Sequence, residues 1–375
     1  MSTNLFKRRE VEMEFIAVEK MNLFYNLFTT LLIIIFYNRL SDPQSMLMGR
    51  FMILVGTFAI IYAYTRYPSR FLILVRMVTQ MLLLNYWYPD TFEFNRIFPN
   101  LDHLFATAEF SIFGCQPALL FEQLLGGEFW REAFNMGYWL YYPMVTVVTM
   151  YYFFKRPAKA ERCSFIIMTA FILHYIIYIF LPVAGPQFYF PVIGEAAAGC
   201  GAYENIGNYF NLHPEISIAQ EGKGVFFTEL VNIAQRAGER PTAAFPSSHI
   251  GVSLVMIILA FKANRKLFAA LVPVFVLLCC ATVYIKAHYL VDAHGRITER
   301  YVDILHCITH IQDIVRAGIG FTQQQGTYGS TYPNGFRIFF TFSSFFIKFQ
   351  IHFRIAYNLC IVNDTNNEQL KVHSC

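Results

Sequence analysis

The sequence predicts an all-α, polytopic membrane helical bundle of about six to seven transmembrane helices, and three observations predict it. Of its 375 residues, 56% are hydrophobic and only 14% are charged, whereas a soluble domain carries roughly a quarter charged residues. The mean hydropathy is +0.41. The apolar residues also fall into separate runs near the ~20 residues that a helix needs to cross hydrocarbon.

Seven runs qualify, and each is read as one span. Residues 21–38 (MNLFYNLFTTLLIIIFYN), 49–65 and 70–88 follow one another with short polar breaks. Residues 135–154 and 164–183 form a second group. Residues 247–263 and 267–291 form a third, separated only by a few residues around KANRK. Tyr and Trp cluster at several of these ends, as they do where a helix meets the headgroup layer.

The basic residues give an orientation. Lys7, Arg8 and Arg9 precede the first run, and Arg66 and Arg70 separate the second from the third. Lys155, Arg156, Lys159 and Arg162 lie between the fourth and fifth, and Lys262, Arg265 and Lys266 between the sixth and seventh. With seven spans and a cytoplasmic N-terminus, all four clusters fall on the inner side, as the positive-inside rule asks. This predicts an integral protein of the inner or plasma membrane. The outer side then receives residues 39–48, 89–134 and 184–246. Segment 89–134 mixes acids with apolar residues at near-helical spacing and is expected to lie in the interface plane. Its Asp102, His103 and Glu109 are read as a solvated or interfacial face.

Other classes are disfavoured. The net charge is +4, and without a basic run or a recognition motif the chain is not read as a nucleic-acid binder. The N-terminus carries charges of both signs and no small-residue cleavage site, so the first run reads as an anchor and not as a signal peptide. None of the eight cysteines forms a C-x-x-C pair or shows a ligand-like spacing. A disulfide between Cys115 and Cys200 is conceivable if both lie outside the membrane. The chain divides into a cytoplasmic segment 1–20, a membrane domain 21–293 and an atypical tail 294–375. In the tail leucine becomes scarce, and either disorder or a shifted reading frame accounts for its composition. Protein partners are not legible.

The chemistry concentrates at the two ends of the third pair. The run 247–263 opens with Pro246, Ser247, Ser248 and His249, and the run 267–291 closes with Lys286, Ala287, His288, Tyr289 and, one residue beyond, Asp292. A short connection makes the two helices antiparallel neighbours, so both groups reach the same membrane face. His288 and Asp292 are i and i+4, and on a helix they share a face. A carboxylate on Nδ1 would leave Nε2 of His288 as a nucleophile. His249 would serve as acid and base. Ser247, Ser248 and Lys286 would meet an anion, the serines at a helix N-terminus and the lysine by snorkelling. Each also has a plain structural reading: the serines as N-caps, the histidines as interfacial residues, and His174, in the fifth run, as a packed core residue. Arg240 is a weaker candidate for the same anion.

The pair PSSH and, about forty residues later, HYLVD resembles the second and third signature motifs of the type 2 phosphatidic acid phosphatase superfamily, whose branches include inositol phosphorylceramide synthases. The resemblance implies a lipid phosphatase or phosphotransferase acting on a lipid phosphate at the outer face. It implies that His288 is the phosphorylated nucleophile, Asp292 its orienting carboxylate, His249 the acid/base and Ser247 a phosphate ligand. It implies no metal or other cofactor. Two departures stand out. The arginine that the family places six residues before the second histidine is Thr282 here, and Gln187 stands in the turn after the fifth run where a basic residue is expected. The family's first motif is missing. Transfer of a phospho-headgroup to a lipid acceptor, a catalytically degenerate member and a transporter are the alternative readings.

Overall fold

The computed structural model describes residues 14–213 and 225–293. The expectations for most of segment 1–20 and for the tail 294–375 lie outside the described residues. Among those described there are helices and no strands. In chain order the α-helices are α1 (Ala17–Ile35), α2 (Pro43–Arg66), α3 (Arg70–Leu82), α4 (Leu84–Asn95), α5 (Asp102–Phe113), α6 (Pro117–Leu124), α7 (Glu128–Trp139) and α8 (Tyr141–Lys155), followed by α9 (Ala160–Phe180), α10 (Pro186–Ile193), α11 (Glu195–Gly199), α12 (Tyr209–Leu212), α13 (Phe226–Gly238), α14 (Ser248–Ala263) and α15 (Arg265–Tyr284).

Local chemistry sets the boundaries. Asp42 accepts from Ser45 N with Pro43 at the first helical position of α2, and Ser69 caps α3 through Leu72 N. Such caps satisfy N–H groups that a helix start leaves unpaired. Asn264 alone separates α14 from α15; its side chain accepts from Lys266 N and Leu267 N. The predicted tight hairpin is present, and α14 and α15 pack against each other along their length.

Five stretches are long and apolar enough to span a membrane: Ala17–Ile35, Pro43–Arg66, Arg70–Asn95, Pro157–Phe180 and Arg265–Tyr284. A sixth is possible if α5 and α6, bent by 61° at their junction, are taken as one broken span. The outward faces of α1 and α2 show Phe24, Leu27, Leu31, Phe51, Val55 and Phe58 to the surroundings. In water such a patch would be a liability; against lipid tails it is the expected surface. Polar groups face inward instead. Arg76 binds Glu19 at 2.6 Å, and Arg50 pairs with Asp90, with all four side chains buried. Removing one member of such a pair strands a buried charge.

Four expectations are corrected. Residues 135–154 do not form one span: the chain breaks at Leu140 into α7 and α8. The last run ends at Tyr284 and does not continue to residue 291. Segment 89–134 does not present its acids to solvent or headgroups. Asp102 and Glu109 are fully buried and are consumed by backbone N–H groups, as described below. The notional Cys115–Cys200 bridge also fails, because Cys115 is a free thiol while Cys200 is disulfide-bonded.

α9 is the central element, with α1, α4, α8 and α14 packed around it. On the far side of the α14–α15 pair, α7 lies against α15, and α13 lies on α7. Gly137 permits the α7–α15 approach: a Cβ there would sit 2.8 Å from the backbone carbon of Leu277. The α14 N-terminus, the α15 C-terminus and the α9 C-terminus meet at one end of the bundle, and the site lies there.

Candidate active site

Three loops are stitched together at that end. The first is the turn after α9, residues 181–185. Its Val183 carbonyl accepts from Ala244 N at 2.9 Å, and Gln187 N donates to the Lys286 carbonyl at 2.8 Å. The second is the 243–247 approach to α14. Tyr178 of α9 donates to the Pro246 carbonyl (2.8 Å) and accepts from Ser248 N (3.0 Å), which fixes the start of α14. The third is the 285–291 segment after α15. Ala243 and Lys286 take left-handed backbone, with φ of 71° and 62°, a conformation that costs an L-residue ~1–2 kcal/mol; the surrounding bonds hold it. Gly185, at φ 96°, is where these loops come closest: a Cβ there would meet the Ala287 carbonyl oxygen at 2.7 Å and Ala244 Cβ at 3.0 Å.

His288 rises from the third loop, 4% exposed. Its N–H donates to the Thr282 carbonyl at 3.0 Å, so the residue at the family's arginine position serves through its backbone. The Thr282 hydroxyl turns back to the Cys279 carbonyl. His288 Nδ1 lies 2.6 Å from the Ala244 carbonyl oxygen. A carbonyl only accepts, so Nδ1 carries the hydrogen and the lone pair of the neutral ring is on Nε2. Burial pushes this imidazole, which follows the last span, down to about 4, which keeps it neutral and nucleophilic near pH 7. Its Nε2 faces Nδ1 of His249 at 3.4 Å.

The two predicted histidines therefore meet. The second ring is clamped by aromatic stacking: Tyr138 lies 4.4 Å from it at 27°, and Tyr141 lies 4.6 Å away. With Nδ1 turned to His288, His249 Nε2 is buried and without a partner. The His249 residue lines a cavity of about 640 Å³. Ser248, Gly238 and Glu239 line the cavity beside it, and Met81, Leu84, Val145, Met150 and Phe171 are among the residues lining its apolar remainder.

The other predicted residues distribute differently. Ser247 is the N-cap of α14, its hydroxyl accepting from Ile250 N at 3.4 Å, and Ser248 lines the cavity. Lys286 is not delivered to the pair. Its ammonium is held by Glu195 at 2.7 Å and Glu122 at 3.0 Å; the left-handed turn at Lys286 separates it from its neighbour two residues on. Arg240 is exposed and donates only to the adjacent Glu239 carbonyl. Asp292 does not share an α-helix with His288, because α15 has already ended and residues 290–293 form a 3₁₀ turn. The described partner of His288 Nδ1 is thus a backbone carbonyl, and the Asp292 side chain lies outside the described residues. His174 is buried as expected, with Nδ1 donating to the Ala170 carbonyl at 2.8 Å; a further hydrogen bond to the Ser247 backbone ties it to the start of α14. No cluster of metal-ligating side chains occurs among the described residues.

Residues that the sequence reading gave no part in the site complete the frame. Asp102 accepts from Ala184 N (2.6 Å), Gly185 N (2.8 Å), Asn100 Nδ2 (2.6 Å) and the Tyr289 hydroxyl (2.9 Å). Glu109 accepts from Leu290 N and from Val291 N. Asp102 thus ties the turn after α9 to Tyr289, and Glu109 holds the backbone just beyond His288. Glu239 accepts from the Tyr138 hydroxyl at 2.9 Å and from Gln187 Nε2 at 3.2 Å. One signal was available for Tyr178, which stands four residues after His174 and shares its helix face. None was available for Glu239.

Paired imidazoles, the second with a buried and partnerless Nε2, thus lie at one end of a helical bundle that has several helices of membrane-spanning length. A family model described as the PAP2 superfamily matches residues 104–297, just over half of the chain, and the protein belongs to that superfamily. Membership supports a function of the phosphatase or phosphotransferase type. No curated protein and no solved structure matches the chain.

Proposed function

We propose that the protein transfers or hydrolyses the phosphoryl group of a lipid phosphate through a phosphohistidine on His288. The observation that carries this reading is the 3.4 Å contact between His288 Nε2 and His249 Nδ1, the second ring lining a largely apolar cavity. A phosphoryl group does not fit between nitrogens that close. Substrate entry parts the rings, and the exposed Nε2 lone pair of His288 attacks phosphorus in line with the leaving oxygen. His249 gives that oxygen a proton. It then takes one from the incoming water or alcohol as the phosphorus–nitrogen bond breaks and its electron pair returns to His288. The Ala244 carbonyl on Nδ1 stabilises the cationic imidazole that forms during attack. Ser248 receives a phosphoryl oxygen. We place the site on the extracytoplasmic side, which the basic connections support through the positive-inside rule.

The apolar part of the cavity supports a lipid substrate, since acyl chains gain ~0.8 kcal/mol per buried methylene. This predicts chain-length selection. Val145→Trp, which narrows the cavity that Val145 lines, raises KM for long-chain lipid phosphates about tenfold and leaves a short-chain analogue nearly unaffected. Steady-state phosphate release in detergent micelles over a series of chain lengths checks this; equal effects on both chain lengths would place the acyl chains elsewhere.

A further inference from the structure

The phosphoryl-transfer reading leaves one group beside His249 without a task. Glu239 lines the same cavity as Ser248 and His249, and its partner Tyr138 stacks on the His249 ring. Its Oε1 holds the Tyr138 hydroxyl, its Oε2 the Gln187 amide, and Gln235 adds a third donor. A carboxylate offers about four acceptor positions, so room remains for a donor from the cavity. Tyr88 and Tyr142 line that cavity too, and both lie close enough to feel the Glu239 charge. No Arg or Lys is among the described residues lining it. Burial pushes the Glu239 carboxyl above the usual carboxylate range, so a donor arriving from the cavity is what would restore its charge.

An acid is a poor neighbour for a phosphate and a good one for an O–H or N–H group. It also stands where an attacking alcohol would have to approach His249 to give up its proton. Resting on the phosphohistidine reading, we infer that Glu239, flanked by Tyr88 and Tyr142, is a second-substrate subsite that binds the alcohol accepting the phosphoryl group, through a further hydroxyl or ammonium donor on that alcohol. In the transfer step the alcohol oxygen bonds to phosphorus. The phosphorus–Nε2 bond of His288 breaks with its electron pair staying on nitrogen, and the hydroxyl proton passes to His249.

The test uses purified full-length protein in detergent with a labelled long-chain lipid phosphate and equal concentrations of glycerol, ethanolamine or 1-butanol. The quantity read is the ratio of transferred product to free phosphate, which is internal to each variant and so independent of how much active protein survives. Wild type is expected to favour glycerol or ethanolamine over butanol by about tenfold, the scale of one hydrogen bond to a charged group. Glu239→Gln and, separately, Tyr142→Phe bring that preference towards one. A preference for glycerol assigns the donor as hydroxyl, and one for ethanolamine assigns it as ammonium. Equal use of butanol by wild type, or an unchanged preference in both variants, overturns the subsite while leaving phosphoryl transfer intact. Absence of any turnover by wild type overturns the phosphoryl-transfer reading itself and the subsite with it.

Discussion

His288→Ala is expected to lower phosphoryl turnover by at least ~10³-fold, because it removes the atom that forms the covalent intermediate. His249→Ala is expected to cost ~10²–10⁴-fold, the usual worth of a positioned acid/base, and the double variant little more than the worse single one, since the two rings act as a unit. Phosphate release by detergent-purified protein, with thermal unfolding to confirm that the variants are folded, measures both. The substitutions remove buried imidazoles from an end of the bundle that backbone bonds already hold through Val183, Ala244 and Gln187, so loss of activity is separable from loss of structure. His288→Ala with unimpaired turnover would remove the mechanism.

Asp102→Ala is expected to be the most damaging substitution away from the histidines. The carboxylate is fully buried and gathers four donors from three places in the chain: Asn100, the 184–185 turn and Tyr289. Removing it strands donors at ~1–3 kcal/mol each, so a total loss of about 4 kcal/mol or more follows even with partial relaxation. The effect should reach activity as well, because Tyr289 and the 184–185 turn flank His288 and its Ala244 cradle. Asp102→Asn keeps the shape but turns a donor towards one of the N–H groups, and should also be destabilised. Thermal unfolding in detergent reads the first effect and turnover the second. Unchanged melting of both variants would show that the hub is not what holds these loops together.

The helical bundle and the meeting of His249 with His288 were legible because both follow from long-wavelength features of the sequence: apolar runs of membrane length and a one-residue hairpin that returns its second helix to the starting face. The failures are local. His288 and Asp292 looked like helical neighbours because Leu290 and Val291 continue the apolar pattern, but α15 ends at Tyr284; the backbone bends so that Thr282 and Ala244 can hold the imidazole. Lys286 looked like a phosphate ligand by spacing alone, whereas two glutamates more than ninety residues away, in opposite halves of the chain's middle, claim its ammonium. Asp102 and Glu109 carry no signal distinguishing a solvated acid from one bound by backbone N–H groups of a remote loop. The transporter alternative looked for broken helices and acids inside the membrane domain. The bent α5–α6 pair and these two acids meet that description in form. Asp102 is nonetheless occupied by Ala184, Gly185 and Tyr289, and one oxygen of Glu109 by Leu290 and Val291, which supports a scaffold for His288 over a proton path.

The proposed mechanism requires a covalent bond between phosphorus and one named nitrogen, Nε2 of His288. Protein incubated with a lipid phosphate labelled on phosphorus and quenched within one turnover should carry an acid-labile, base-stable label that peptide mapping places on His288. The label should accumulate in His249→Ala, which lacks the base for the second step, and be missing from His288→Ala. Turnover without a labelled protein, or the same label in His288→Ala, would contradict the account.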